Sequence, residues 1–228
     1  NVLQDLLLIL KIIKRTYITH KKRKVSSDKT IMFQGWFMRK YLYLTEVEWV
    51  DAWVKGGSIP ISLASSYLSE DRAGIFTPDE NLIHESAVSI PSLRQHGINI
   101  EGSRNITIKN FTSNGIKLPD IINANYYKED GLILSFCNSF SVDIAKKMDK
   151  KACVEIINIE KLRQNIDRQL GCKGIMDSCR YTLDHNRNHF LKSSEDSWQN
   201  EFRIFWRTTR EKWVEIPANS AKLVKIFD

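Results

Sequence analysis

Ser197-Trp198-Gln199-Asn200-Glu201-Phe202-Arg203-Ile204-Phe205 is the stretch on which the fold turns. Strand side chains alternate faces, so Gln199, Glu201, Arg203 and Phe205 are expected on one side, with Trp198, Phe202, Ile204 and Trp206 mostly on the other. The second row is a core face. The first row sets an amide, a carboxylate and a guanidinium on the rim of a hydrophobic sheet, where a carboxylate is costly unless it is paired or used. A catalytic carboxylate would be mounted in this way.

Downstream, a turn near residues 208–211 leads to Trp213-Val214-Glu215-Ile216, which is expected to pair back onto this strand. Upstream, Gly131 to Cys137 and Ala152 to Ile157 read as buried strands. The second is followed by a helix over 159–170 that Asn158 can cap. Ile98 to Phe111 alternates like a strand, and Asn114-Gly115 is a hairpin turn into Ile116-Lys117-Leu118. Between 70 and 100, Pro78, Pro91 and Gly97 mark a long surface excursion with short helical turns. Near the start, Trp36 to Leu44 reads as an aromatic strand. Thr45-x-x-Glu48 fits a capping box for a helix through Val54 that Gly56-Gly57 closes. Ser58 to Ser62 is a short strand whose Pro60 argues for an edge or a strand start, and a serine-rich turn with Tyr67 follows. Strands with interspersed helices and no regular βαβ alternation predict an α+β fold.

The chain of 228 residues has a formal net charge of +7, and residues 11–29 hold eight cations against Asp28 alone. That segment therefore accounts for the whole excess. One basic segment points to a docking arm or solvated linker rather than a basic surface spread over the fold. Residues 1–30 are expected to form an amphipathic helix and basic arm, and residues 31–228 the main domain. The apolar run over 6–13, broken by Lys11, is too short to span a membrane. Cys137, Cys153, Cys172 and Cys179 include no Cys-x-x-Cys pair, which predicts reduced structural thiols in a cytoplasmic protein. Asn105 and Asn110 head glycosylation-like triplets and are read as strand residues. His185 and His189 stand four apart beside Asp184, but no third ligand is in register and no metal site is expected.

Three polar patches remain: Arg39-Lys40-Tyr41 on the first strand, Ser62 with the turn to Tyr67, and Gln199-x-Glu201. In this order they carry a resemblance to the bacterial ADP-ribosyltransferase fold, and in particular to a large family of uncharacterised bacterial proteins related to it. The matching pieces are Lys40-Tyr41-Leu42-Tyr43, the helix from Thr45, Ile59-Pro60-Ile61-Ser62 up to Tyr67, Leu132 to Ser135, Cys153 to Leu162, Lys192, and Gln199 to Arg203. Two departures stand out. Gln199 replaces the first acid of a Glu-x-Glu pair, and Leu68-Ser69-Glu70 replaces the usual Asn-Asp-Pro.

The resemblance implies a split β-sheet core with an N-terminal helical and basic extension. It implies an enzyme that uses NAD and acts as an intracellular bacterial toxin or phage-defence effector. Glu201 would stabilise the oxocarbenium charge that develops on the ribose, and Gln199 would meet the acceptor. Arg39 or Lys40, on opposite faces by alternation, would hold the pyrophosphate beside Tyr41; Ser62 would orient Glu201, and Tyr67 would stack on nicotinamide. The expected acceptor is a nucleic acid or protein, with plain NAD hydrolysis, or a binding module that kept the fold and lost the chemistry, as alternatives. A partner or inhibitor protein could dock through residues 1–30.

Overall fold

The computed structural model describes residues 39–68, 79–210 and 212–227. The expected arm over 1–30 and the start of the aromatic strand lie outside them. The described chain is mixed α+β and mostly antiparallel. No described helix is long and apolar enough to cross a membrane.

The main sheet runs β10 (Ile175–Ser178), β13 (Glu201–Trp206), β8 (Leu132–Cys137), β1 (Lys40–Leu44), β9 (Ala152–Ile156) and β15 (Ala221–Ile226). β2 (Gly57–Leu63) joins it by pairing Ser62 and Leu63 with Ile133 and Leu132 of β8. β14 (Lys212–Ile216) pairs with β2 along its length. The expectation that 213–216 pairs back on the 201–206 strand is therefore corrected: both edges of β13 are taken, by β8 and β10.

β8 changes partner along one edge. It meets β1 at Tyr41↔Cys137 and β2 at Ser62↔Ile133, so no described strand is paired on that side between these two points. The sheet splits there.

One face of this sheet is the principal core, where Leu42, Phe136, Val154, Phe202, Ile204 and Trp206 pack with Leu162 and Ile166 of α4 (Ile159–Leu170). Apolar residues three to four apart make that helix face, and burying such side chains contributes roughly 2 kcal/mol each. Asn158 caps it as expected, accepting from the Lys161 amide at 2.9 Å, and Gly171 ends it in the left-handed conformation. Trp206 is wholly buried, and its indole donates to Asp167 Oδ1 of α4 at 2.7 Å. A Cβ on Gly174 would stand 2.5 Å from that indole nitrogen, which explains the glycine.

The Thr45 capping box does not form. Thr45 Oγ1 accepts from Lys150 Nζ at 2.8 Å, and a 3₁₀ turn over Val47–Trp49 leads into α1 (Val50–Val54) without a side-chain cap. Residues 79–128 form a smaller unit, β3 (Leu82–Glu85), β4 (Ser103–Ile108) and β7 (Ile121–Lys128) in the order β3-β7-β4, with α2 (Ile90–Gln95) packed on it. The expected hairpin is β5 (Thr112–Ser113) and β6 (Ile116–Lys117), joined by Asn114 and Gly115, both at positive φ, and β11 (Arg180–Thr182) and β12 (Leu191–Ser193) form a short parallel pair.

Candidate active site

Register fixes which residues share a face. Glu201, Cys137, Tyr41, Glu155 and Lys222 stand opposite one another across β13, β8, β1, β9 and β15. Arg203 and Ser135 form the next row along β13 and β8, and Phe205, Ile133 and Ser62 the row after it. Alternation puts Arg39 on this same face and Lys40 on the other.

That placement gives Arg39 and Lys40 different surroundings. Lys40 is buried in the principal core, 4.2 Å from the Phe202 ring centroid, and its Nζ donates to Asn138 Oδ1 at 2.6 Å. Burial lowers its pKa, with Asp177 opposing. Arg39 has a side chain 69% exposed and lies 3.7 Å from Glu155, whose second cation is Lys222 at 3.3 Å.

Glu201, 6% exposed, is the centre of a charged network. Arg203 Nε donates to its Oε1 at 2.6 Å and Lys192 Nζ to its Oε2 at 3.0 Å. Arg203 also reaches Glu80 and donates to the His189 carbonyl at 3.0 Å. Burial pushes the Glu201 carboxyl up, but the charges of Arg203 and Lys192, helped by hydrogen bonds from Arg203 and Ser135, outweigh it and hold the pKa at about 2. Glu80 goes the other way: its burial outweighs the same Arg203 and raises it. Burial works to lower the pKa of Lys192 and Arg203, and the Glu201 charge overrides it in both and holds them cationic.

Gln199 lies in a 3₁₀ turn, Ser194–Gln199, not in the strand. Ser193 caps that turn and Asn200 leaves it in a left-handed conformation, which sets the start of β13 at Glu201. The Gln199 amide is spent internally, its oxygen accepting from Lys192 at 2.9 Å and its nitrogen donating to Asp196 at 3.0 Å. These bonds position Lys192, and the residue itself is buried.

The serine expected to orient Glu201 is also corrected. Ser62 lies four residues along β8 and two strand spacings away, about 16 Å between Cα positions. Ser135, one row from Glu201 on the segment of β8 between its β1 and β2 pairings, is instead the serine that helps to lower the pKa of the Glu201 carboxyl. Tyr67 packs on the cluster of Ile133 and Phe205, in Ser62's row. Tyr181, which accepts from the Glu201 amide at 2.9 Å, and Lys192 carry weight that no local pattern announced, although Lys192 stood among the matched pieces.

The chain matches no family model, no curated protein and no solved structure. His189 is buried, stacked 3.6 Å from the Phe205 centroid, with Nε2 3.2 Å from Glu129 and Nδ1 without a partner. Burial lowers its pKa, with Glu129 opposing. His185 has other partners, its Nε2 2.9 Å from the Ser86 carbonyl and its ring 4.6 Å from that of His84. Asn105 sits in β4 and Asn110 just past its end.

Proposed function

We propose that this chain is an ADP-ribosyltransferase-like enzyme that breaks the nicotinamide–ribose bond of NAD, with Glu201 as its catalytic carboxylate. One observation carries the reading: an ionised Glu201 stands one row from half-buried Ser135, where β8 passes from β1 to β2, and the serine helps to lower the pKa of its carboxyl. Positive charge grows on the ribose as nicotinamide leaves, and a carboxylate fixed beforehand, ionised to far below neutral pH, stabilises it without reorganising. Of the groups that lower the pKa of the Glu201 carboxyl, Ser135 is the neutral one, so a ribose hydroxyl on its side competes with no ion pair.

NAD enters as the substrate, and the face suits it in part. Arg39 can leave Glu155 for a pyrophosphate because Lys222 remains to pair that carboxylate. Lys40 does not suit the task, being bonded to Asn138 on the opposite face. Tyr67 and Ser62 lie in the row that would take the nicotinamide end. The family resemblance extends the proposal to a bacterial toxin or phage-defence effector that modifies a macromolecule.

A second reading is favoured by the separation of Ser62 from Glu201, which counts against the transferase arrangement, by the near-complete burial of Glu201 and by the cation on each of its oxygens. In it the network is a structural clamp that ties Glu80, residues 189–192 and β13 together, and the domain binds without chemistry. Nicotinamide release from NAD separates the two. The enzymatic reading expects release by the wild type and loss of at least a hundredfold in Glu201→Gln, while the clamp expects no release by either, with or without cell lysate as acceptor source.

A further inference from the structure

The row that begins at Glu201 does not stop at the site. It continues through Tyr41 and Glu155 to Lys222, four strand spacings or about 19 Å away. Aromatic rings gather beside it. Phe140, 36% exposed, lies 6.0 Å from Tyr41 and stacks on Phe227 at 6.4 Å with the ring planes 12° apart. Phe227 in turn stacks on Tyr43.

Cations border the rings. Lys225, opposite Cys153 in the Tyr43 row, lies 5.7 Å from the Phe227 centroid, and exposed Lys147 lies 5.0 Å from that of Trp198. Lys222 and Arg39 flank Glu155, whose single charge is matched by two. Exposed Asp143 is the other carboxylate on the neighbouring helix α3 (Val142–Lys147), against Lys146 and Lys147 in its last turn. Cations are therefore in excess around the rings.

We infer that this face binds a single-stranded nucleic acid, with bases stacked on Phe140 and its neighbours and the phosphates following Lys222, Lys225, Lys147 and Arg39. Rings interleaved with lysines are what a single strand requires, because every base offers a π face and every linkage a charge. A duplex keeps its bases stacked inside and gains nothing from the rings. Because the row ends at Glu201, the strand is also the acceptor class of the proposed reaction. That last step rests on the enzymatic reading, whereas the binding does not.

The test is fluorescence anisotropy of a labelled mixed-sequence oligonucleotide of about 12 nucleotides, as single-stranded DNA, single-stranded RNA and duplex, without NAD. The full chain is used with Lys21→Ala, Lys22→Ala, Arg23→Ala and Lys24→Ala, so that the basic arm does not mask the face. Phe140→Ala should weaken single-strand binding roughly five- to a hundredfold. Lys222→Ala with Lys225→Ala should flatten the slope of log affinity against log salt by about 1.4, the share of two phosphates on a single strand. Both lysines are exposed, so this pair keeps the test decisive even if Phe140→Ala were to unfold the domain. Binding unchanged by the pair, duplex held as tightly as single strand, or no oligonucleotide bound at all would overturn the inference, the last leaving the face to a protein partner. Oligonucleotide binding with no nicotinamide release would sink only the enzymatic reading.

Discussion

Replacing Glu201 by Gln should destabilise the domain at neutral pH and do so less and less as the solution is acidified. The carboxyl is held at about 2, below the ordinary value of 4.5. A folded-state pKa below the unfolded one contributes stability that is complete above the unfolded value and is lost as pH falls through the folded one. The difference is worth about 3 kcal/mol, in the range found on breaking one partner of a buried ion pair. Against a typical total of roughly 5–15 kcal/mol, the variant remains folded but marginal. Glu80 contributes with the opposite sign, because its raised pKa stabilises at low pH and costs stability as pH rises through it. The Glu201 charge is one of the causes that raise that pKa, so Glu201→Gln relieves part of the cost and makes the gap at neutral pH somewhat smaller than the Glu201 shift alone. Urea unfolding at pH 7, 5, 4 and 3 should show the gap between wild type and Glu201→Gln narrowing from about pH 4.5 downward. A gap constant across this range would refute the claim that Glu201 is held ionised by Arg203 and Lys192.

Thiol labelling under native conditions at pH 8 should find Cys172 first, since burial pushes Cys137, Cys153 and Cys179 up to about 12 and leaves them protonated. Equal rates at all four would contradict their placement. If NAD turns over, Arg39→Ala should raise KM several-fold with the unfolding midpoint unchanged, whereas Lys40→Met should leave KM alone; steady-state kinetics with thermal unfolding distinguishes these from the reverse. Asn158→Ala should cost about 1 kcal/mol in urea unfolding by removing the α4 cap, and no loss would show that the Lys161 amide finds another acceptor.

The elements that were legible in sequence are those whose determinants are local. The α4 cap at Asn158, the Asn114-Gly115 hairpin and the buried run of β8 are each written within a few residues. What was not legible depends on partners far along the chain. Trp213 to Ile216 has the pattern of a strand, but nothing in it says that β2 rather than β13 is the neighbour. β7 hides because Asn123 bends it at positive φ and its Ile-Ile-Asn-Ala-Asn run does not alternate. β15 hides because five of its six residues are exposed. Thr45 has the right spacing for a cap, but Lys150, more than a hundred residues away, takes its hydroxyl.

The site divides along the same line. Glu201 and its row could be read from alternation, which also implied that Arg39 and Lys40 face opposite ways. Choosing the serine required the register of β8 against β13 and β2, which is non-local, and Ser135 rather than Ser62 emerged from it. Gln199 misled because an alternation pattern was continued through Asn200, a residue that tolerates the left-handed turn.

Nicotinamide appearance from NAD, measured side by side for wild type, Ser135→Ala and Ser62→Ala, tests the central claim most directly. Expected are release by the wild type, a loss of about tenfold or more in Ser135→Ala from the weakened hold on Glu201, and near wild-type release by Ser62→Ala. No release by the wild type, or a loss confined to Ser62→Ala, would contradict it.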